Sequence, residues 1–271
     1  MPNRSVVNNM GKLKICALTE IGLVRKKNQD NFYVDGIYKE ELNQDNFGYS
    51  KQIALKEKTV CAVFDGMGGL SFGEEAAYAA ASGFDAYLAC IEKEGQKFDG
   101  VKALEYLNTK VCELKRKKNV EMGSTATVLY YENETVQVCN IGDSKAFLIR
   151  DGEMIQISED HNEANSLKKI QHSLGIKVER ENTNLLTQFL GIEEDEFLIE
   201  PALSDLIQLK EKDIILLCSY VLTGMVSEQD MIETVIFKES TLEDKTKELY
   251  QKALQAGGRD NITIILLSVE R

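Results

Sequence analysis

Thr59-Val60-Cys61-Ala62-Val63-Phe64-Asp65-Gly66-Met67-Gly68-Gly69 is the stretch from which the fold can be worked out. Its first six residues form an apolar, β-branched run that predicts a buried strand. The strand ends on an acid followed by glycines. A hard cation such as Mg²⁺ or Mn²⁺ wants oxygen ligands. Asp65, with the Gly66 carbonyl beside it, would supply them, and the glycines let backbone approach closely. The plain alternative is a tight strand-to-helix turn capped by Asp65. A phosphate-binding P-loop is excluded, because the Lys-Ser/Thr ending is missing.

Two more acids stand at the edges of strand-like runs. They are Asp143 in Asn140-Ile141-Gly142-Asp143-Ser144 and Asp260 in Gly257-Gly258-Arg259-Asp260-Asn261. A packed sheet can hold all three carboxylates towards one pocket. Each also has a local reading: Asp143 terminates a strand, and Asp260-Asn261 turns a helix end into the last strand. A fourth run, Ile214-Ile215-Leu216-Leu217-Cys218-Ser219, leads to Tyr220-Val221 and not to an acid. In Gly22-Leu23-Val24-Arg25-Lys26-Lys27-Asn28-Gln29-Asp30, the planar fork of Arg25 suits a pair of phosphate oxygens. Asp30 would support a metal shell through water. A solvated basic loop is the alternative.

Periodicity supplies the surrounding frame. Short strands are expected at 14–19 and 32–34, and helices at 72–93 and 101–118. In the second helix Val101, Leu104, Leu107, Val111 and Leu114 recur at helical spacing. A β-meander follows at 124–131, 135–141, 145–149 and 154–157, with turns at Glu132-Asn133 and Asp151-Gly152. Beyond it come a helix at 162–174, a polar loop-rich stretch to Pro201 and a buried strand at 213–219. Helices at 228–237 and 242–256 and a closing strand at 262–269 complete the chain. Strands enclosing two blocks of paired helices suggest an α+β fold, helices packed outside a sheet-on-sheet core. No linker divides the 271 residues, so one domain over 1–271 is expected. Asn28-Gln29-Asp30-Asn31-Phe32 recurs as Asn43-Gln44-Asp45-Asn46-Phe47 and reads as a repeated polar turn.

Hydrophobic content of 43% with two prolines fits a packed globular protein, and the net charge of −12 argues against nucleic-acid or anionic-membrane partners. The six cysteines are scattered, with no close pair at metal-ligand spacing. Cys61, Cys139 and Cys218 lie in apolar runs, where a thiol behaves as a small hydrophobe. That usage suits a reducing compartment. Residues 1–14 lack the apolar core of a signal peptide, and the longest apolar stretch, near Ile262, is far shorter than a membrane span. A cytoplasmic monomer is expected.

Six segments, in order, carry a resemblance. They are Gly22-x-x-Arg25-x-x-Asn28-Gln29-Asp30, Val63-Phe64-Asp65-Gly66-Met67-Gly68-Gly69, Gly123-Ser124-Thr125-Ala126, Ile141-Gly142-Asp143-Ser144-Lys145, Asp160-His161 and Gly258-x-Asp260-Asn261-Ile262-Thr263. Together they resemble the protein phosphatase 2C family in its bacterial form, the metal-dependent Ser/Thr phosphatases, over residues 17–269. The resemblance implies a four-layer αββα sandwich, two antiparallel sheets flanked by helix pairs. It implies a binuclear Mg²⁺ or Mn²⁺ centre bridged by Asp65 with help from the Gly66 carbonyl. Asp260 would hold the first metal, Asp143 a looser third, and Arg25 the substrate phosphate, with Asp30 and Asn261 in support. A metal-activated water would then attack phosphorus in line. His161 would anchor a loop, and the stretch 162–201 would cover the family's flap. The implied partner is a protein phosphorylated on Ser or Thr by a bacterial Ser/Thr kinase.

One departure stands out. The family pattern after the Ile214 strand is Ser-Asp-Gly-Leu-Thr/Trp-Asp, whereas this chain has Ser219-Tyr220-Val221-Leu222-Thr223-Gly224. Tyr220 replaces a carboxylate expected to help hold the first metal, and Gly224 replaces another acid. A tyrosine hydroxyl, with a pKa near ~10, is neutral at pH 7 and a poor substitute. Water can fill the position, so first-metal affinity is expected to fall roughly tenfold to thousandfold. Two readings follow: a phosphatase with a weakened first metal site, or a pseudophosphatase that binds phosphoproteins or regulates.

Overall fold

The computed structural model describes residues 11–67, 72–175 and 185–270. Gly68 and Gly69 of the opening stretch and residues 176–184 of the expected flap lie outside the described residues.

Two antiparallel sheets stack face to face. The first runs in the order Glu153–Gln156, Lys145–Arg150, Ile214–Cys218, Ile262–Glu270, Lys12–Glu20, Asn46–Ala54. The second starts at Ala202–Leu203 and continues through Thr135–Ile141, Ala126–Glu132, Lys58–Phe64 and Asn31–Val34 to Ile37–Tyr38, with Ile207–Gln208 also paired to Thr135–Ile141. Helices cover both outer faces, as the sequence suggested.

Each central strand is buried on both sides, and its alternation sorts side chains into three apolar layers. Cys61 and Val63 meet Phe32, Leu129, Ile215 and Leu267 between the sheets. Their neighbours Val60, Ala62 and Phe64 face the helix pair Gly73–Lys93 and Gly100–Lys118, against Ala77, Phe84, Leu104 and Leu107. On the opposite side Leu216, Cys218, Ile264 and Leu266 face Leu222, Val235 and Leu249, carried by the helices that end with Leu242–Gln255. Antiparallel sheets usually leave one face to water and show alternating patterns. Here a second burial face turns the pattern into continuous apolar runs, which is why those runs were visible in the sequence. Cys61, Cys139 and Cys218 are buried free thiols in these layers.

Several features differ from the sequence reading, the short strands Ile37–Tyr38, Ala202–Leu203 and Ile207–Gln208 among them. A nine-residue strand, Asn46–Ala54, was missed; only Phe47, Tyr49 and Ile53 pack inward on the core, so its signal is diluted by polar residues. Residues after the Ile214 strand form a short helix, Tyr220–Met225, to which the sequence reading assigned no element. The helix expected at 228–237 changes winding midway, from α over Glu228–Ile232 to π over Glu233–Phe237. The two Asn-Gln-Asp-Asn-Phe copies differ in setting. Asn28 and Asp30 are buried, whereas Asn43 and Asp45 are exposed, although the Phe32 and Phe47 rings stack at 5.2 Å. No helix among the described residues is long and apolar enough to cross a membrane.

Candidate active site

Asp65 leaves the end of Lys58–Phe64 held by its backbone. Its N–H donates to Thr125 Oγ1 at 3.0 Å and its carbonyl accepts from the Thr125 N–H at 2.9 Å. Gly66 then pairs with Ser124 across a two-stranded ribbon. Its carbonyl oxygen lies where a side chain on Gly73 would sit, so the first helix starts directly against it.

Asp143 follows Thr135–Ile141 and is held from behind by His161. The Gly142 N–H donates to His161 Nδ1 at 3.2 Å, and the His161 N–H donates to the Gly142 carbonyl at 2.9 Å. Burial lowers the His161 pKa, which keeps the imidazole neutral, as an accepting Nδ1 requires. Gly142 has φ +97°, and a Cβ there would lie 2.6 Å from Thr125; only glycine fits. His161 thus clamps the loop beside Asp143.

Asp260 sits in the turn before Ile262–Glu270, where its Oδ2 accepts from Arg25 at 2.5 Å. Asn261 clamps the Arg25 loop. Its Nδ2 donates to the Ile21 and Lys27 carbonyls, each at 2.9 Å, and its Oδ1 accepts from the Gln29 N–H at 2.8 Å.

Asp30 is buried at the bottom. Its Oδ2 accepts from Thr263 Oγ1 at 2.7 Å, and that hydroxyl contacts Thr19 Oγ1 at 2.8 Å. Asn28 donates to the same Thr19 oxygen at 3.0 Å. Lys39, itself buried, donates from Nζ to the Asn28 carbonyl at 2.6 Å.

These carboxylates feel one another. Burial pushes Asp30 up to about 6, with Asp260 adding to the rise and the Thr263 and Ser219 hydroxyls and Lys39 opposing it. Burial also lifts Asp65 well above the carboxylate range, reinforced by the negative charge of Asp30, Asp143 and Asp260. Asp143 rises to about 6 through burial and the nearby Asp160, against the pull of Lys145.

The donors are hard, anionic oxygens, a chemistry that fits Mg²⁺ or Mn²⁺. Among the described residues, no three His, Cys, Asp or Glu side chains already form the arrangement of a metal site.

Tyr220 opens its short helix half-buried, with Lys145 Nζ 6.0 Å from its ring centroid. Lys145 also pairs with Asp160.

The family model for Protein phosphatase 2C matches residues 33–170. A curated relative, protein phosphatase PhpP of Streptococcus pneumoniae, is 31% identical over 95% of this chain and 98% of its own. The chain belongs to the protein phosphatase 2C family. The sandwich agrees: the solved serine/threonine phosphatase of S. agalactiae superposes with TM-score 0.75 at 26% identity, covering 95% of this chain and 100% of that one. The catalytic domain of the phosphatase PstP, solved in complex with two manganese ions, shares the fold at TM-score 0.70 and 24% identity, over 96% of this chain and 100% of that one.

In this phosphatase 2C chain, Arg25 is paired with Asp260, Asn261 holds the Arg25 loop, Asp65 feels the charge of Asp30, Asp143 and Asp260, and Tyr220 lies beside Lys145. Sequence reasoning missed Thr19, Lys39, Glu74 and Thr263. Glu74, in the first turn of Gly73–Lys93, pairs with Lys27 and accepts from Gln29 at 3.1 Å, fastening the Arg25 loop to the helix. An acid in a helix's first turn is a visible signal; a lone threonine in a strand is not.

Proposed function

We propose that this chain is a metal-dependent Ser/Thr phosphoprotein phosphatase, folded as one domain. Its site would be built from Asp65, Asp143, Asp260 and the Gly66 carbonyl, with Asp30 and Asn261 in support and Arg25 on the substrate phosphate. The observation that carries the reading is that Asp65, fixed at its strand end by Thr125, feels the negative charge of Asp30, Asp143 and Asp260 together. Such a concentration of carboxylates is costly without positive charge. When bound, divalent cations would supply that charge, polarising the phosphoryl oxygens and acidifying water.

The chain's own residues would do the rest. Arg25, 46% exposed at the side chain and already against Asp260, would offer its fork to two phosphate oxygens. Asn261 and Glu74 would keep that fork in place. The Thr19–Thr263 hydroxyl pair would orient Asp30 as a proton acceptor beside Asp65.

A second reading, a pseudophosphatase that binds phosphoproteins, is favoured by one observation. Tyr220, half-buried, begins the short helix Tyr220–Met225, which also contains Gly224 and has no acid in its first turn. This segment offers an aromatic ring where the family pattern has an acid. Hydrolysis of p-nitrophenyl phosphate and a phosphothreonine peptide, titrated with Mn²⁺, separates the two. Rates well above those of Asp65→Asn support the enzyme. Wild type equal to Asp65→Asn, with activity gained in Tyr220→Asp, supports the binder.

A further inference from the structure

The loop that carries Arg25 displays side chains that phosphate chemistry leaves unused. Leu23 and Val24 are each 64% exposed, and Lys26 beside them is exposed as well. The backbone of this loop is fixed from several sides. The Leu23 N–H donates to the Gly258 carbonyl at 2.8 Å, and Asn261 holds the Ile21 and Lys27 carbonyls. At Gly22, φ +77°, a Cβ would meet the Asp260 carbonyl oxygen at 2.3 Å. Two aliphatic side chains are therefore presented to water by a preorganised support, the arrangement that lowers the ordering cost of binding. Arg25-Lys26-Lys27 is also a run of three cations in a chain of net charge −12.

We propose that Val24, Leu23 and Lys26 form a docking rim that selects phosphorylated protein segments carrying an aliphatic and an acidic residue beside the phosphorylated Ser or Thr. This rests on the phosphatase reading and names its substrate class. Consecutive Cα atoms are about 3.8 Å apart, so these residues lie within ~8 Å of the Arg25 Cα, two residues along an extended bound segment. Lys27 is engaged by Glu74, which leaves Lys26 as the cation facing an acidic flank. A nucleic acid would match the cations alone, would gain nothing from the aliphatics and would be repelled by the rest of the surface.

Binding and turnover are tested separately. Peptides bearing a non-hydrolysable phosphonate in place of phosphothreonine are titrated by fluorescence anisotropy in millimolar Mn²⁺. Val24→Ser weakens a leucine-flanked peptide about tenfold and leaves a glycine-flanked one unchanged. Lys26→Glu weakens an aspartate-flanked peptide by a similar factor, an effect that shrinks at high salt and reverses for a lysine-flanked peptide. Hydrolysis of p-nitrophenyl phosphate, too small to reach the rim, stays at wild-type rates in both variants. Equal affinities of the wild-type chain for all flanks overturn the rim, whatever the turnover. Flank preferences intact with hydrolysis no faster than Asp65→Asn overturn the phosphatase reading and leave the rim standing.

Discussion

Asp30 is a buried carboxyl whose cost can be read as a pH dependence. Its folded pKa, about 6, lies above the ordinary carboxylate value. Between the two, the folded chain holds more protons than the unfolded one, so stability falls as pH rises through that window. Above it the full cost remains, at about 1.4 kcal/mol for each tenfold difference in proton affinity between the folded and unfolded chain. Asp30→Asn keeps an acceptor for Thr263 and removes the charge. Without added metal, the variant is expected to melt higher than wild type at about pH 8 and to lose that advantage below about pH 4, where both carry a neutral group. Calorimetric scans across pH check this; a variant that melts lower at every pH contradicts it. At this scale Arg25, Asp65, Asp143 and Asp260 stand out in the sequence as candidates because each lies at the edge of a patterned run or glycine turn. Thr19 and Thr263 do not. They meet only because the first and last long strands pair in register, Thr19 opposite Thr263, and no local spacing encodes that pairing.

The elements were legible where length and periodicity agreed. Gly100–Lys118 reads cleanly because its apolar stripe repeats over five turns, and its start is fixed by Asp99, whose carboxylate accepts from the Val101 and Lys102 N–H groups at 3.1 and 3.2 Å. Loss of such a cap costs about 1 kcal/mol. Asp99→Ala is therefore expected to lower Tm by about 2–4 °C while leaving hydrolysis per folded molecule unchanged, because the cap lies outside the carboxylate cluster. A parallel drop in activity would show that this helix end reaches the site. Tyr220–Met225 was not legible for the converse reason: six residues make fewer than two turns, too few for a period to show. What holds it is tertiary, since Leu222 is buried in the outer apolar layer. That burial fixes the position of Tyr220, and the pattern Ser-Tyr-Val-Leu-Thr-Gly gives no hint of it. The strand Asn46–Ala54 likewise gains its place from pairing with Lys12–Glu20 along its whole length.

At the scale of the molecule, the cluster exists only when the two sheets are stacked. Asp30 and Asp65 adjoin strands of the second sheet, Asp143 links a strand of the second sheet to one of the first, and Asp260 precedes the strand of the first sheet that carries Thr263. An unfolded chain cannot gather them, so a cation held there stabilises the folded state alone, by RT ln(1 + [L]/Kd). At about a hundredfold excess over Kd this is about 2.7 kcal/mol, a rise of several degrees in Tm. Mn²⁺ is expected to raise the wild-type Tm in this way, and Asp65→Asn to abolish the rise, since Asp65 is the carboxylate that feels the charge of Asp30, Asp143 and Asp260 together. Tyr220→Asp separates two roles for the tyrosine. If Tyr220 stands where a ligand would strengthen the site, the variant shows a larger Tm rise at the same Mn²⁺ concentration, and the titration midpoint moves to lower metal. If the ring instead serves the packing around Lys145, the variant melts lower without metal and the Mn²⁺ midpoint stays where it was. Thermal melts read this without any turnover, so the metal affinity of the folded sandwich is tested apart from the chemistry it would support.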